Sequence, residues 1–177
     1  MSYIRRSELK NYPQAITESL RNFAENATQK TAMAEITVFL SHSHEDDDLV
    51  EQARIFLGAH GVKLYVDWKD PDMPPVTTPG TAEELRTKIR ECEKFVLLAS
   101  DSALRSRWVP WELGFADPTK GMTNIAVLPV ASDNGTWRGS EYVGAYPKIA
   151  KSENQNWIVV PAEEDEEVRR LSHWFRQ

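Results

Sequence analysis

A single cysteine, Cys92, leaves no partner for a disulfide within the chain. One thiol is the usage expected of a reducing compartment. Set between Ile89 and Phe95, it reads as a small packed hydrophobe rather than a reactive group. Basic residues are outnumbered: 21 Lys and Arg against 27 Asp and Glu give a formal net charge of -6. No surplus is available to neutralise nucleic-acid phosphates, so nucleic acid is not expected as a main partner. A local patch for a small anionic ligand stays open. No apolar run nears the roughly 18 residues that would span a bilayer, and the polar stretch Met1 to Lys10 holds no signal-peptide core. The chain is therefore expected to be soluble and cytoplasmic, with no membrane partner. Neither G-x-G-x-x-G nor G-x-x-x-x-G-K-[ST] occurs, which removes the glycine-rich phosphate cradles. His42 and His44 stand two apart, but a zinc site would need further ligands nearby. The acids Glu45 to Asp48 are better explained as helix-start charges, and no metal is expected.

What remains is an ordinary globular composition, 41% hydrophobic and 27% charged over 177 residues. That length fits one domain with a short extension. Leu9, Tyr12, Ile16, Leu20, Phe23 and Ala27 recur at steps of three and four, one stripe of an amphipathic helix. The stripe could pack on its own domain or meet a partner. Pro13 belongs in the first turn of its main part, and Gln29 to Ala34 reads as a linker. The division is residues 1–33, an N-terminal helical extension, and residues 34–177, the domain.

From Glu35 onward strands and helices alternate. Ile36 to Leu40 is a near-continuous apolar strand, typical of a parallel sheet covered on both faces. Glu45 to His60 is a helix, acidic at its start and ended by Gly61. Val62 to Val66 is the second strand. Asp67 to Gly80 holds four prolines and reads as an extended loop. Thr81 caps the next helix, with Glu84 at capping-box spacing. Phe95 to Ala99, Ile125 to Val130 and Trp157 to Val160 are the third to fifth strands. Trp108 to Asp117 starts a helix stopped by Pro118, Gly135 to Pro147 is irregular, and Glu163 to Arg176 is a closing helix. Trp137, Trp157 and Trp174 are expected in the core.

Five such units predict an α/β, flavodoxin-like, doubly wound parallel sheet of order 2-1-3-4-5. The winding reverses between strands one and three, and ligands bind beyond the carboxyl ends of strands at such a point. The loops concerned are Ser41-His42-Ser43-His44 and Ser100-Asp101-Ser102, flanked by the loop from Asp67.

After strand three comes Ser106-Arg107-Trp108-Val109-Pro110-Trp111-Glu112-Leu113. Pro110 suits the first helical position, which puts Glu112 in the first turn. There a glutamate is explained either as a charge on the free N–H groups or as a functional carboxylate. Trp108 is open in the same way, between a staple against Leu113 and a pocket wall.

Three motifs carry a resemblance. Val38-Phe39-Leu40-Ser41-His42-Ser43 before an acidic helix start is similar to the first-strand signature of TIR (Toll/interleukin-1 receptor) domains. Val66-Asp67-Trp68, opening a proline-rich loop, looks like their BB loop. Trp108-Val109-Pro110-Trp111-Glu112 matches their W-x-x-x-E pattern. The match spans about residues 35 to 177 and most resembles stand-alone bacterial TIR proteins of Thoeris-like antiphage signalling. It implies an NAD⁺ glycohydrolase or cyclase, with NAD⁺ as substrate and no cofactor. Glu112 is then the catalytic carboxylate. Ser41, His42, Ser43, Tyr65, Asp67, Trp68, Ser100 and Trp108 line the substrate site. Some family members have a basic residue about where Ser43 and His44 stand, so phosphate contacts are unassigned here. The resemblance also implies self-association through the BB loop, Asp67 to Gly80, and a separate effector reached by the product. The competing reading is a non-catalytic TIR adaptor acting by assembly. A third is an unrelated flavodoxin-like enzyme acting on nucleosides.

Overall fold

The computed structural model describes residues 1–12, 36–66 and 79–177. The N-terminal stripe beyond Tyr12, the boundary at residues 33 and 34, Asp67, Trp68 and most of the proline-rich loop lie outside them.

The chain opens with a short strand β1 (Ile4–Arg5), followed by helix α1, described over residues 6–12. Then come β2 (Ile36–Ser41), a 3₁₀ turn (His44–Asp46), α2 (Asp47–Gly58) and β3 (Val62–Tyr65). Next are α3 (Pro79–Glu91), β4 (Lys94–Ala99), α4 (Asp101–Arg105), α5 (Trp108–Lys120) and β5 (Ile125–Ala131). The chain finishes with α6 (Glu141–Gly144), β6 (Lys148–Lys151), β7 (Trp157–Val160), β8 (Arg169–Arg170) and α7 (Leu171–Trp174).

These strands form one sheet in the order β3-β2-β4-β5-β6-β7-β8, with β1 pairing β5. Strands β3, β2, β4 and β5 are mutually parallel. Every residue of β4 and β5 is buried, as near-continuous apolar strands covered on both faces require. One core lies on the side of α1, α2 and α7, the other on the side of α3, α4 and α5.

The fold class is the doubly wound α/β arrangement expected, and the first four predicted strands stand in the order 2-1-3-4. The sheet is larger than five parallel strands. Lys148–Lys151 inserts as β6 beside β5, and the expected fifth strand, β7, runs antiparallel to it. With two lysines and two apolar residues, β6 carries little strand signal. The closing helix is also shorter than expected. Ile158 and Val159 recruit Arg170 and Arg169 as β8, and helix is confined to Leu171–Trp174. Glu163 to Glu167 are exposed and have no apolar stripe to bury, so no helix is stabilised there.

Other ends differ by local physics. Helix α5 starts at Trp108, so Pro110 is its third residue rather than its first, still within the turn whose N–H groups need no helical acceptor. Pro118 does not stop it. The carbonyl four residues back belongs to exposed Gly114, where water can replace the missing bond. The helix ends at Gly121, at φ 73°. Helix α3 starts at Pro79, so Thr81 lies inside its first turn rather than capping it. Helix α2 starts at Asp47 after the 3₁₀ turn and ends at Gly58 with Ala59 as its cap, shorter at both ends than the expected Glu45 to His60, and Gly61, at φ 89°, lies in the turn beyond.

The described N-terminal residues are built into the same body. Strand β1 pairs at Ile4 with Val130 and at Arg5 with Ala131, near the carboxyl end of β5. Ile4 and Leu9 are fully buried. Lys10 and Arg6 reach Asp48 at the start of α2, at 2.5 and 3.3 Å. Of the three tryptophans expected inside, Trp174 is buried, while Trp137 and Trp157 are half-buried. Among the described residues no helix is long and apolar enough to cross a membrane.

Candidate active site

Strands β2 and β4 are neighbours in the sheet. The chain leaves β2 outward to β3 and returns on the other side to β4, so the winding reverses between β2 and β4, and open α/β sheets bind ligands beyond the carboxyl ends of the strands at such a point. Ser41 closes β2 and shares the face of Phe39 two residues earlier, the face covered by α5.

On that face the Ser41 hydroxyl donates to Glu112 Oε2 at 2.5 Å. Both side chains are buried, Ser41 1% and Glu112 4% exposed. A first-turn glutamate serving a helix dipole would face water. Glu112 is instead the fifth residue of α5, turned inward onto the sheet. Burying a carboxylate is costly unless polar groups meet it, and Ser41 supplies one such group. Trp108, four residues earlier on the same side of the helix, is half-buried with its ring edge-on to Trp111 at 5.1 Å. Arg86 of α3 lies over Trp111 at 5.2 Å.

His42 and Ser43 continue from Ser41 into the loop, 7% and 8% exposed. The Nδ1 atom of His42 donates to the Leu40 carbonyl at 3.0 Å. The Ser43 hydroxyl accepts from the Glu45 amide at 3.3 Å, closing the 3₁₀ turn. Tyr65 ends β3 opposite Phe39 and stacks on it at 5.6 Å. Phe39 stacks in turn on Phe95 at 5.5 Å. The aromatic row crosses β3, β2 and β4 at the level of Phe39, two residues before Ser41. Lys88 sits over the Tyr65 ring at 5.4 Å.

Ser100 has a different setting. It is 1% exposed, accepts from the Ala103 amide at 3.0 Å as the cap of α4, and donates to Asp46. Its hydroxyl is thus engaged between the two loops. Asp46 is the polar residue that sequence reasoning passed over. Read as one of three helix-start charges, it is fully buried. Burial pushes its carboxyl above the usual range, with the Ser100 hydrogen bond pulling the other way. No sequence signal separates it from Asp47 and Asp48, which are exposed. Beyond Ser100, the Trp137 indole donates to the Ala99 carbonyl at 2.9 Å, closing over the end of β4.

Cys92 is buried, its thiol pushed up to about 11 mainly by desolvation. Among the described residues no three His, Cys, Asp or Glu side chains gather to hold a metal ion.

Fold and site together define a flavodoxin-like α/β domain with a buried glutamate beside the reversal of winding. The family model described as TIR domain matches residues 38–172, and the chain belongs to that family. It is 30% identical to a protein of Bacillus cereus (strain MSX-D12) named a probable 3' cyclic ADP-D-ribose synthase, ThsB'. That alignment covers 95% of this chain and 90% of the relative. It is 23% identical to a Cytobacillus dafuensis protein provisionally named a cyclic ADP-D-ribose synthase, TIR2. There the match covers 56% of this chain and 31% of the longer protein.

Proposed function

We propose that this TIR domain cleaves the nicotinamide–ribose bond of NAD⁺ and releases nicotinamide and a cyclic ADP-ribose. The observation that carries the reading is the inward Glu112 carboxylate held by Ser41 at the switch point. The names of the two relatives supply the product class, a cyclic ADP-D-ribose.

The chemistry needs few groups. The nicotinamide of NAD⁺ is a cationic pyridinium and leaves neutral, so no general acid must protonate it, unlike an ordinary glycoside that needs two carboxyls. Positive charge then develops on the ribose as an oxocarbenium ion. A fixed carboxylate beside that charge stabilises it without reorganising, and loss of one such group costs about 10²–10³ in rate. Capture by a hydroxyl of the same molecule closes a ring, and capture by water gives linear ADP-ribose. In either case the attacking hydroxyl or water loses its proton to solvent, so one H⁺ is released with each nicotinamide. In this proposal Glu112 is the catalytic residue. Trp108 and Tyr65 form aromatic walls, and Ser41, His42 and Ser43 border the ribose. Asp67 and Trp68 enter from the BB loop, which also mediates self-association. The product is a signal read by a separate effector in antiphage defence.

The test is mass spectrometry of the products formed from NAD⁺ by the purified protein, alone and with a phage-derived trigger. Nicotinamide with a product isobaric with cyclic ADP-ribose supports the proposal. Absence of turnover under every trigger, with TIR–TIR assembly intact, makes the chain an adaptor.

A further inference from the structure

Two serines end the strands that flank the reversal of winding, and each bonds a carboxylate belonging to the other strand's side. Ser41, at the end of β2, donates to Glu112 on α5, which follows β4. Ser100, just past β4, donates to Asp46 in the 3₁₀ turn that follows β2. The second bond joins the two loops, and the first joins the end of β2 to α5. Only five helical residues and a short turn separate Ser100 from Trp108, so a shift of Ser100 is carried directly to the start of α5.

Asp46 costs the fold something. It is fully buried, and among the described residues its Oδ1 has no hydrogen-bond partner. An apolar side chain would avoid that desolvation penalty. Local rules of this kind are broken mainly where function requires it. The outer side of the same segment is also anchored, because Lys10 and Arg6 hold Asp48 two residues further on.

We infer that Asp46 is a positioning residue for NAD⁺ cleavage: by accepting from Ser100 it ties the loop after β2 to the loop after β4 and fixes where Glu112 stands relative to Ser41. The inference rests on the function proposed above. Neither Asp46 nor Ser100 touches substrate in this scheme. They set a distance between groups that do, and a displacement of about 1 Å in a reacting group costs about 10²-fold in rate.

The experiment uses the full chain and measures nicotinamide release at a temperature where circular dichroism shows every variant folded. Asp46→Ala and Ser100→Ala remove the tie. Asp46→Asn keeps an acceptor, and Ser100→Thr keeps both the hydroxyl and the helix cap. Val159→Ala, in β7 on the far part of the sheet, is the control for general destabilisation. Asp46→Ala and Ser100→Ala should each lower kcat about 10–100-fold, with KM changed by less than about threefold. The double variant should be no worse than either single one, and Asn and Thr should restore most of kcat. The inference is overturned if the alanine variants lose no more kcat than Val159→Ala. It is equally overturned if the two losses multiply, or if Asp46→Asn is as damaging as Asp46→Ala. Should Asp46→Ala fail to fold, the Ser100 pair makes the same comparison. A wild-type protein without turnover overturns the functional reading and this inference with it. Turnover abolished by Glu112→Gln but untouched in both alanine variants removes the positioning role alone.

Discussion

Replacing Glu112 by glutamine changes the charge of one buried group and almost none of its volume. The Ser41 hydroxyl keeps an oxygen to donate to, so the 2.5 Å bond has a successor. What disappears is the negative charge that the proposed mechanism sets against the ribose. Glu112 is 4% exposed, so water screens it weakly. At an effective dielectric of about 20 and a separation of about 4 Å, unit charges attract by about 4 kcal/mol. That agrees with the loss of about 2.7–4 kcal/mol seen when preorganised electrostatic groups are removed, or about 10²–10³ in kcat. Because the charge acts on the transition state, KM should move by less than about threefold. The assay is chromatographic quantification of nicotinamide under saturating NAD⁺, with urea unfolding run in parallel. Ser41→Ala extends it. In the wild-type background it removes a hydrogen bond to a charged group, about 1.5–3 kcal/mol. In the Glu112→Gln background it should cost much less, and the difference is the coupling between the pair. Retention of kcat within about threefold in Glu112→Gln, or a fall explained entirely by lost folded protein, would refute the electrostatic argument.

Three further outcomes are expected. Cys92, buried with its thiol near 11, should resist Ellman's reagent at pH 8 in the native protein and react at once in guanidinium; rapid native labelling would contradict the packing described. His60 is held below its usual 6.5 by burial. The unfolded chain therefore takes up a proton on this residue as pH falls through 6.5 while the folded chain does not, and stability is lost on acidification. His60→Leu should flatten the change in urea midpoint between pH 7.5 and 5.5, and an unchanged slope would exclude His60 as its source. Leu9→Ala should cost about 2–5 kcal/mol in urea unfolding, because Leu9 is fully buried in the core beside α2. A loss below about 0.5 kcal/mol, typical of surface positions, would mean that residues 1–12 are an appendage.

The candidate site was legible in unequal parts. Trp108 and Glu112 stand out through the resemblance to the W-x-x-x-E pattern, since their positions alone fit a helix-start charge and a hydrophobic staple equally well. Their sharing of one helical face follows from the four-residue interval. The inward turn of Glu112 does not follow. A glutamate near a helix start is equally suited to water, and only the packing of α5 over β2 decides for the interior. Ser100 illustrates the reverse. Its place at a strand end was evident, yet its hydroxyl is engaged by Asp46 and the cap of α4. Asp46 itself is one of three consecutive aspartates with the same local propensity.

Hydrophobic patterning along the chain determined the doubly wound class, the parallel core strands β2, β3, β4 and β5, and hence the point where the winding reverses. Those features depend on the period of burial, which neighbouring residues encode. Tertiary structure alone decided the insertion of β6, the antiparallel turn of β7 and β8, and the docking of β1 against β5. It also decided which serine meets which carboxylate. Each of these depends on residues distant in sequence competing for one sheet edge or one buried donor, and no local propensity carries the result of that competition.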